Sequence, residues 1–213
     1  MRLYLSSYQF GNHPEKLAKL ASGNKKATVI MNAVDFGDKE RKSQNTQNQI
    51  QQLVGLGFEA SELDLRNYFG KEEVLEKYLR EIGLVWIHGG NAFILQRAFA
   101  QSGFRKIIKE MVVRDQIVYA GFSAAVCVIT PTLHGAELVD DPTIVPEGYE
   151  EKFSWDGLRL INYNVAVHYQ SDHPESADVD KEVAYFKKNG IPYRTLKDGE
   201  VIVVDGKHEV LLH

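Results

Sequence analysis

The chain has 213 residues, 44% of them hydrophobic and 25% charged, enough apolar surface for a single α/β domain spanning residues 1–213 and too much for a disordered or fibrous protein. Lys and Arg number 25 against 29 Asp and Glu, with the signs interspersed, so no basic stripe is available for nucleic-acid phosphates. The one cysteine, Cys127, excludes an intrachain disulfide, and no apolar run is long enough for a membrane span or a signal-peptide core; a cytoplasmic protein with no nucleic-acid or membrane partner is expected.

Taken in order, RLYLSSYQFG reads as a short strand entering a loop, and Pro14 opens a helix through Leu20. Ala27 to Ala33 is a buried type of strand, followed by a helix from about Lys39 to Leu56 with Asp38 as its N-cap. Glu59 to Leu65 gives the next strand, and a helix from about Lys71 to Ile82 ends at Gly83. Leu84 to Ile87 is a strand that runs into His88-Gly89-Gly90-Asn91 before a helix through Gln101, and Phe104 to Val113 is helical again. This alternation predicts right-handed crossovers and a mostly parallel sheet covered on both faces.

Ile117 to Ile129, IVYAGFSAAVCVI, is the most informative stretch: a β-branched run, a serine and at once a small-residue helical segment. Ser123 then stands on a sharp turn above the end of the sheet, with Gly121 and Ala125 keeping the corner small. The plainer reading of Ser123 is an ordinary helix N-cap. Likewise the two glycines before Asn91 let a backbone approach a ligand and aim N–H groups at a developing charge, whereas the plainer reading is a tight turn capped by Asn91.

Beyond the serine, residues 131–155 lack any sustained period and read as loops. Gly157 to Ile161 and Val165 to Val167 are short strand candidates, Glu175 to Asn189 is a helix ended by Gly190, and Glu200 to Val204 with His208 to Leu212 form a hairpin. A serine hydroxyl needs a base and, behind it, a carboxylate. His168 is the best-placed base because it ends a predicted strand, with His173 its rival; Asp198 and Glu200, either side of Gly199, are the candidate acids. Cys127 reads as core, and His88 equally as a substrate contact or a turn residue, while Lys152, Arg159 and Tyr169 read as surface more readily than as substrate anchors. No spacing suggests a metal site, and neither metal nor cofactor is expected.

The order of these features, a strand ending in HGGN, a G-x-S-A-x corner, a histidine after a strand and a late acidic-Gly turn, resembles peptidase family S51, which includes aspartyl dipeptidases and has the cyanophycinases as relatives. The resemblance implies a flavodoxin-like, class I glutamine-amidotransferase-like three-layer α/β sandwich. It also implies a serine peptidase of short peptides, N-terminal Asp-Xaa dipeptides among them. Matched by position, Ser123 is the nucleophile, His168 the base and Asp198 the acid, one methylene shorter than the family's glutamate. Gly90 and Ala124 supply oxyanion N–H groups, and Gly89 and Asn91 are the substrate-contacting positions of the turn. Ala125 departs from the family's glycine. A small-substrate esterase or amidase, and a noncatalytic ligand-binding module, are the competing readings. No residue pattern fixes an interface, so a homodimer stays open.

Overall fold

The computed structural model describes residues 1–213. The chain begins with β1 (Arg2–Ser6), α1 (Pro14–Leu20), β2 (Lys26–Ile30), α2 (Lys39–Gly55), β3 (Glu59–Glu62) and α3 (Glu72–Leu79). It continues with β4 (Leu84–Ile87), α4 (Ala92–Gln101), α5 (Phe104–Val113), β5 (Val118–Phe122) and α6 (Ala124–Cys127). Last come β6 (Asn164–Ala166), α7 (Ser176–Asn189), β7 (Tyr193–Thr195), β8 (Val201–Asp205) and β9 (His208–Leu212).

Seven strands form the central sheet in the order β3-β2-β4-β5-β1-β8-β9. The first five are mutually parallel, and the β8–β9 hairpin adds an antiparallel edge beside β1. Parallel pairing demands crossovers, and the helices that make them cover both faces. Alternation along the strands decides which side chain goes where. Leu3, Leu5, Val85, Ile87, Tyr119 and Ile202 face the layer of α3, α4, α5 and α6. Tyr4, Val29, Trp86, Val118, Ala120 and Val203 face α1 and α2. Side chains of this size stabilise by roughly 1.5–3 kcal/mol each when fully buried, so the two layers rest on this division. The protein is thus the three-layer α/β sandwich that the alternation predicts, with a mixed, mostly parallel sheet.

Three expectations need correction. The segment 157–161 is not a strand: its N–H groups bond to turn carbonyls after α6, Leu158 to Val128 O at 2.8 Å and Leu160 to Ile129 O at 3.0 Å. Those same bonds draw the chain out of helical geometry after Cys127, so α6 is one turn long and stops short of Ile129. Finally, Val165 lies not in the main sheet but in a separate parallel pair, β6 with β7, and β7 was not foreseen. α7 covers that pair through Val179, Val183 and Phe186.

The long stretch of loops from 131 to 155 is held down by α4. Arg97, 2% exposed, donates to the carbonyls of Pro142, Glu150 and Glu151, and Gln96 donates to those of Ser154 and Asp156. No helix is long and apolar enough to cross a membrane.

Candidate active site

β4, β5 and β1 lie side by side and parallel, with Ile87 opposite Gly121 and Ser6 opposite Phe122. Their carboxyl ends therefore emerge together, the edge where open α/β sheets bind ligands. The HGGN turn leaves β4 there, Ser123 leaves β5, and Ser7 leaves β1.

Ser123 has φ 52° and ψ −115°, a region that an L-residue enters only under strain. It stands at the N-cap position of α6, yet its side chain makes no capping bond. The hydroxyl is half-buried and tied to nothing. Across the gap Gly89 presses on it: a Cβ there would meet Ser123 Cβ at 2.9 Å and the Phe122 ring at 2.8 Å. The N–H groups of Gly90 and Ala124 have no acceptor within the protein. Asn91 spends its side chain otherwise, accepting from the N–H groups of Phe93 and Ile94 as the cap of α4 and donating to Asp141 O at 2.9 Å. Of the two turn residues expected to contact substrate, Gly89 flanks the serine and Asn91 shapes the turn.

The histidine and the acid are brought together by the small sheet. Parallel pairing sets Ala166 against Thr195, and Tyr169 N–H continues the ladder to Leu196 O at 3.0 Å, so residues just past each strand end are neighbours. His168 Nδ1 lies 2.7 Å from Asp198 Oδ1. Glu200 is engaged elsewhere, accepting from Lys197 N and from the His213 ring. Burial pushes the His168 imidazole below its ordinary range against the opposing pull of Asp198, and nearby His173 acts in the same direction as burial. No hydrogen bond joins Ser123 to His168. The end of β1 links them: Ser6 O accepts the Ser123 N–H at 3.3 Å, and Ser7 Oγ accepts the His168 N–H at 2.8 Å. Tyr8 fills the angle between, its ring 6.1 Å from Phe122 and 5.9 Å from His168.

Sequence reasoning missed several participants. Ser7, fully buried, also donates to Asp198 Oδ1 at 2.8 Å and so fixes both members of the pair. Ser171 Oγ accepts the Asp198 N–H at 2.8 Å. His173, the rival base, is stacked on His168 with ring centroids 3.7 Å apart, while only His168 reaches Asp198. An open cleft of about 680 Å³, lined by Tyr8, Ser171, His173, Asp198 and others, lies beside the pair.

The other singled-out residues stand apart. His88 bonds its own turn at Gly89 O and packs on Phe122. Cys127 is partly buried against the core, and burial with the carboxylates of Glu182, Asp140 and Glu175 pushes its thiol well up, away from the reactive thiolate. Arg159 pairs with Asp156 and lines a cavity with Met1 and Val204, at the opposite end of the sheet; Lys152 is exposed.

A family model described as Peptidase family S51 matches residues 6–212. A Drosophila melanogaster protein named probable alpha-aspartyl dipeptidase is 28% identical over 142 residues, covering 64% of this chain and 56% of its own length. A Streptomyces coelicolor protein named peptidase E is 27% identical over 138 residues, covering 62% and 53%. The matched region is therefore little more than half of each relative. Among solved structures, a Listeria monocytogenes protein assigned as a peptidase E superposes with a TM-score of 0.78 at 20% identity, covering 100% of this chain and 98% of its own. A peptidase from an acI-B1 actinobacterium gives 0.69 at 17% identity, covering 99% and 86%. At those identities the two structures speak for the fold alone.

Proposed function

Because the chain belongs to peptidase family S51, we propose that it is a serine peptidase acting on short peptides, dipeptides first, through an acyl-enzyme on Ser123. In this reading Ser123 Oγ turns toward His168 Nε2, gives up its proton there and attacks the scissile carbonyl carbon. Asp198 holds Nδ1, which fixes the tautomer that leaves Nε2 free to accept and supports the imidazolium that forms. The carbonyl oxygen, now negative, takes the free N–H groups of Gly90 and Ala124, one such donor being worth about 2.7–4 kcal/mol in comparable sites. The C–N bond breaks as the amine takes the proton from His168; water then repeats the sequence and frees the acid.

The observation that carries the reading is Ser123 itself. A serine at a strained strand-to-helix corner with a hydroxyl that caps nothing has no structural task that explains the strain. A cytoplasmic setting belongs to the same reading, supported by cysteine usage, one thiol and hence no intrachain disulfide. The test is labelling with a small fluorophosphonate across wild type, Ser123→Ala and His168→Ala, followed by a dipeptide panel that includes Asp-Xaa. Label on Ser123 in the wild type, none in the first variant and slow labelling in the second are expected. A folded protein that neither labels nor cleaves any peptide would leave a binding module as the better reading, and turnover of p-nitrophenyl esters alone would make it an esterase.

A further inference from the structure

Three donor side chains meet beside the proposed base, and the mechanism uses only one of them. A ring nitrogen of His168, a ring nitrogen of His173 and a carboxylate oxygen of Glu175 all lie within 4.8 Å of one another. Their spacing, H-x-x-x-x-H-x-E, belongs to no regular element. Left-handed backbone at His168 and Gln170, φ 58° and 50°, turns the chain between β6 and α7 and gathers the three. Each donor is available. Asp198 holds His168 at Nδ1, which leaves Nε2 without a hydrogen bond. The His173 ring carries one long bond, accepting the Glu175 N–H at Nδ1 over 3.3 Å. Glu175 stands at the N-cap position of α7 without capping it, and its carboxylate has only His173 Nδ1, at 3.9 Å, for company.

Two imidazoles and a carboxylate make the ligand set of a zinc site that keeps its fourth position open. A ligating histidine ordinarily gives its other N–H to a carboxylate, and Asp198 already takes that place behind His168. Nitrogen donors select zinc and its transition-metal neighbours over magnesium and calcium, which take oxygen. The way in is the open cleft, where Asp172 and Asp198 outweigh Lys197. We infer that His168 Nε2, His173 and Glu175 bind a zinc ion, and that the ion stops catalysis by taking the lone pair that must accept the Ser123 proton. This inference rests on the reading of Ser123 and His168 as nucleophile and base, and gives that site a regulatory ligand. Ligand atoms on a tetrahedral zinc stand roughly 3.3–3.6 Å apart, so the group closes by about 1 Å around the ion. His173 makes that movement. His168 is fixed by Asp198 and Ser7, whereas His173 is only stacked on it and must tilt out of the stack to aim its in-plane lone pair at the ion.

The test titrates zinc chloride into wild type, Glu175→Gln and His173→Ala by calorimetry, and cobalt chloride by visible absorption. Fluorophosphonate labelling of Ser123 is timed with and without zinc, each protein against its own metal-free rate. Expected are a single bound zinc, the visible bands of a tetrahedral cobalt site and no comparable uptake of magnesium. Saturating zinc should slow labelling at least about 100-fold, the lower range of what a general base contributes, and a chelator should restore it. Both variants should bind zinc at least about 10-fold more weakly. An affinity within about 2-fold of wild type in either variant marks the ion as adventitious and overturns the inference. Zinc bound with labelling unchanged overturns it too, because His168 Nε2 would then be free. Were the variants not to fold, imidazole nitrogen NMR of wild type decides: zinc must shift the His168 and His173 rings, and shifts confined to other histidines overturn the inference. The outcomes keep the two readings apart. Ser123 labelled at the same rate by a protein that binds no zinc leaves the peptidase standing without the metal site. Zinc held at His168 and His173 by a protein whose Ser123 never labels leaves the metal site without the peptidase.

Discussion

Ser7 offers the sharpest test of how the His168–Asp198 pair is held. Its hydroxyl accepts the His168 N–H and donates to Asp198 Oδ1, both at 2.8 Å, with Leu196 O a further acceptor at 3.3 Å. In Ser7→Ala the His168 N–H loses its acceptor at a residue only 1% exposed, which costs about 1–3 kcal/mol. The bond to Asp198 counts for less, about 0.5–1.5 kcal/mol, because that side chain is 22% exposed and water takes over. Together the loss is roughly 2–4 kcal/mol, or a fall in Tm of about 4–16 °C for a chain of this size. The catalytic consequence is separate: an imidazole freed to shift by a fraction of an ångström loses roughly 10- to 100-fold in kcat with KM nearly unchanged. Thermal melts and the rate of fluorophosphonate labelling at Ser123 measure the two effects. Ser171→Ala, which removes the acceptor of the Asp198 backbone N–H and a donor to Tyr169 O but touches no side chain of the pair, is the comparator and is expected to lose less of both. A Ser7→Ala protein that melts within about 1 °C of wild type and labels at the wild-type rate would refute the argument.

Ser123→Gly is expected to abolish labelling yet raise stability by roughly 1 kcal/mol, since relief of about 1–3 kcal/mol of backbone strain exceeds the entropic cost of glycine; a urea titration decides it. His168 has a depressed pKa, so its neutral form persists as pH falls, and the acid limb of kcat/KM lies below the ordinary histidine value of 6.5; a limb above it would contradict the burial argument. Asp140 and Glu182 have raised pKa values, so the native state binds more protons than the unfolded chain between their ordinary values of 3.8 and 4.5 and their folded values of about 7 and about 8. Their contribution is fully present below that window and is lost as pH rises through it, so the Tm advantage of Glu182→Gln over wild type should grow from about pH 5 to about pH 8, and a difference flat in pH would count against the assignment. Gly121→Ala is expected to cost at least about 1–3 kcal/mol and labelling with it, read by melts and fluorophosphonate together.

Much of the candidate site was legible because it sits at strand ends. Ser123 declared itself by the switch from a β-branched run to small helical residues, and His168 by its place after a short apolar strand. Spacing left Asp198 and Glu200 equal, since both flank Gly199; pairing of β6 with β7 brings residue 198, not 200, alongside 168. β7 itself is three residues between Pro192 and a polar turn, too short to show a period. Ser7 follows β1 on the same edge as the serine, so the rule that singled out His168 also covers it, but its bond to a backbone N–H 161 residues away has no local signal. Glu182 did leave one: it falls on the stripe of Val179, Val183 and Phe186, an acid on the buried side of α7. The 157–161 segment misled because its apolar residues suit a strand, whereas its bonding partners are turn carbonyls that no pattern announces.

The departure at the fifth corner position is absorbed by the strand, not by the nucleophile. A Cβ on Gly121 would stand 2.6 Å from the Cβ of Ala125 and 2.4 Å from Ile87 O, so the space that one methyl fills at 125 exists because none is present at 121. Ala125 is fully buried and its carbonyl accepts the Tyr119 hydroxyl at 2.7 Å, which ties the first turn of α6 back to β5. Removing the methyl at 125 would not make a side chain at 121 acceptable, because the carbonyl of β4 still blocks it. The two positions therefore carry different constraints. Position 121 must be glycine for β4 and β5 to pair in register beneath the serine, while 125 needs only to be small. The corner keeps its conformation with alanine there, so the departure from glycine at 125 leaves the presentation of Ser123 intact.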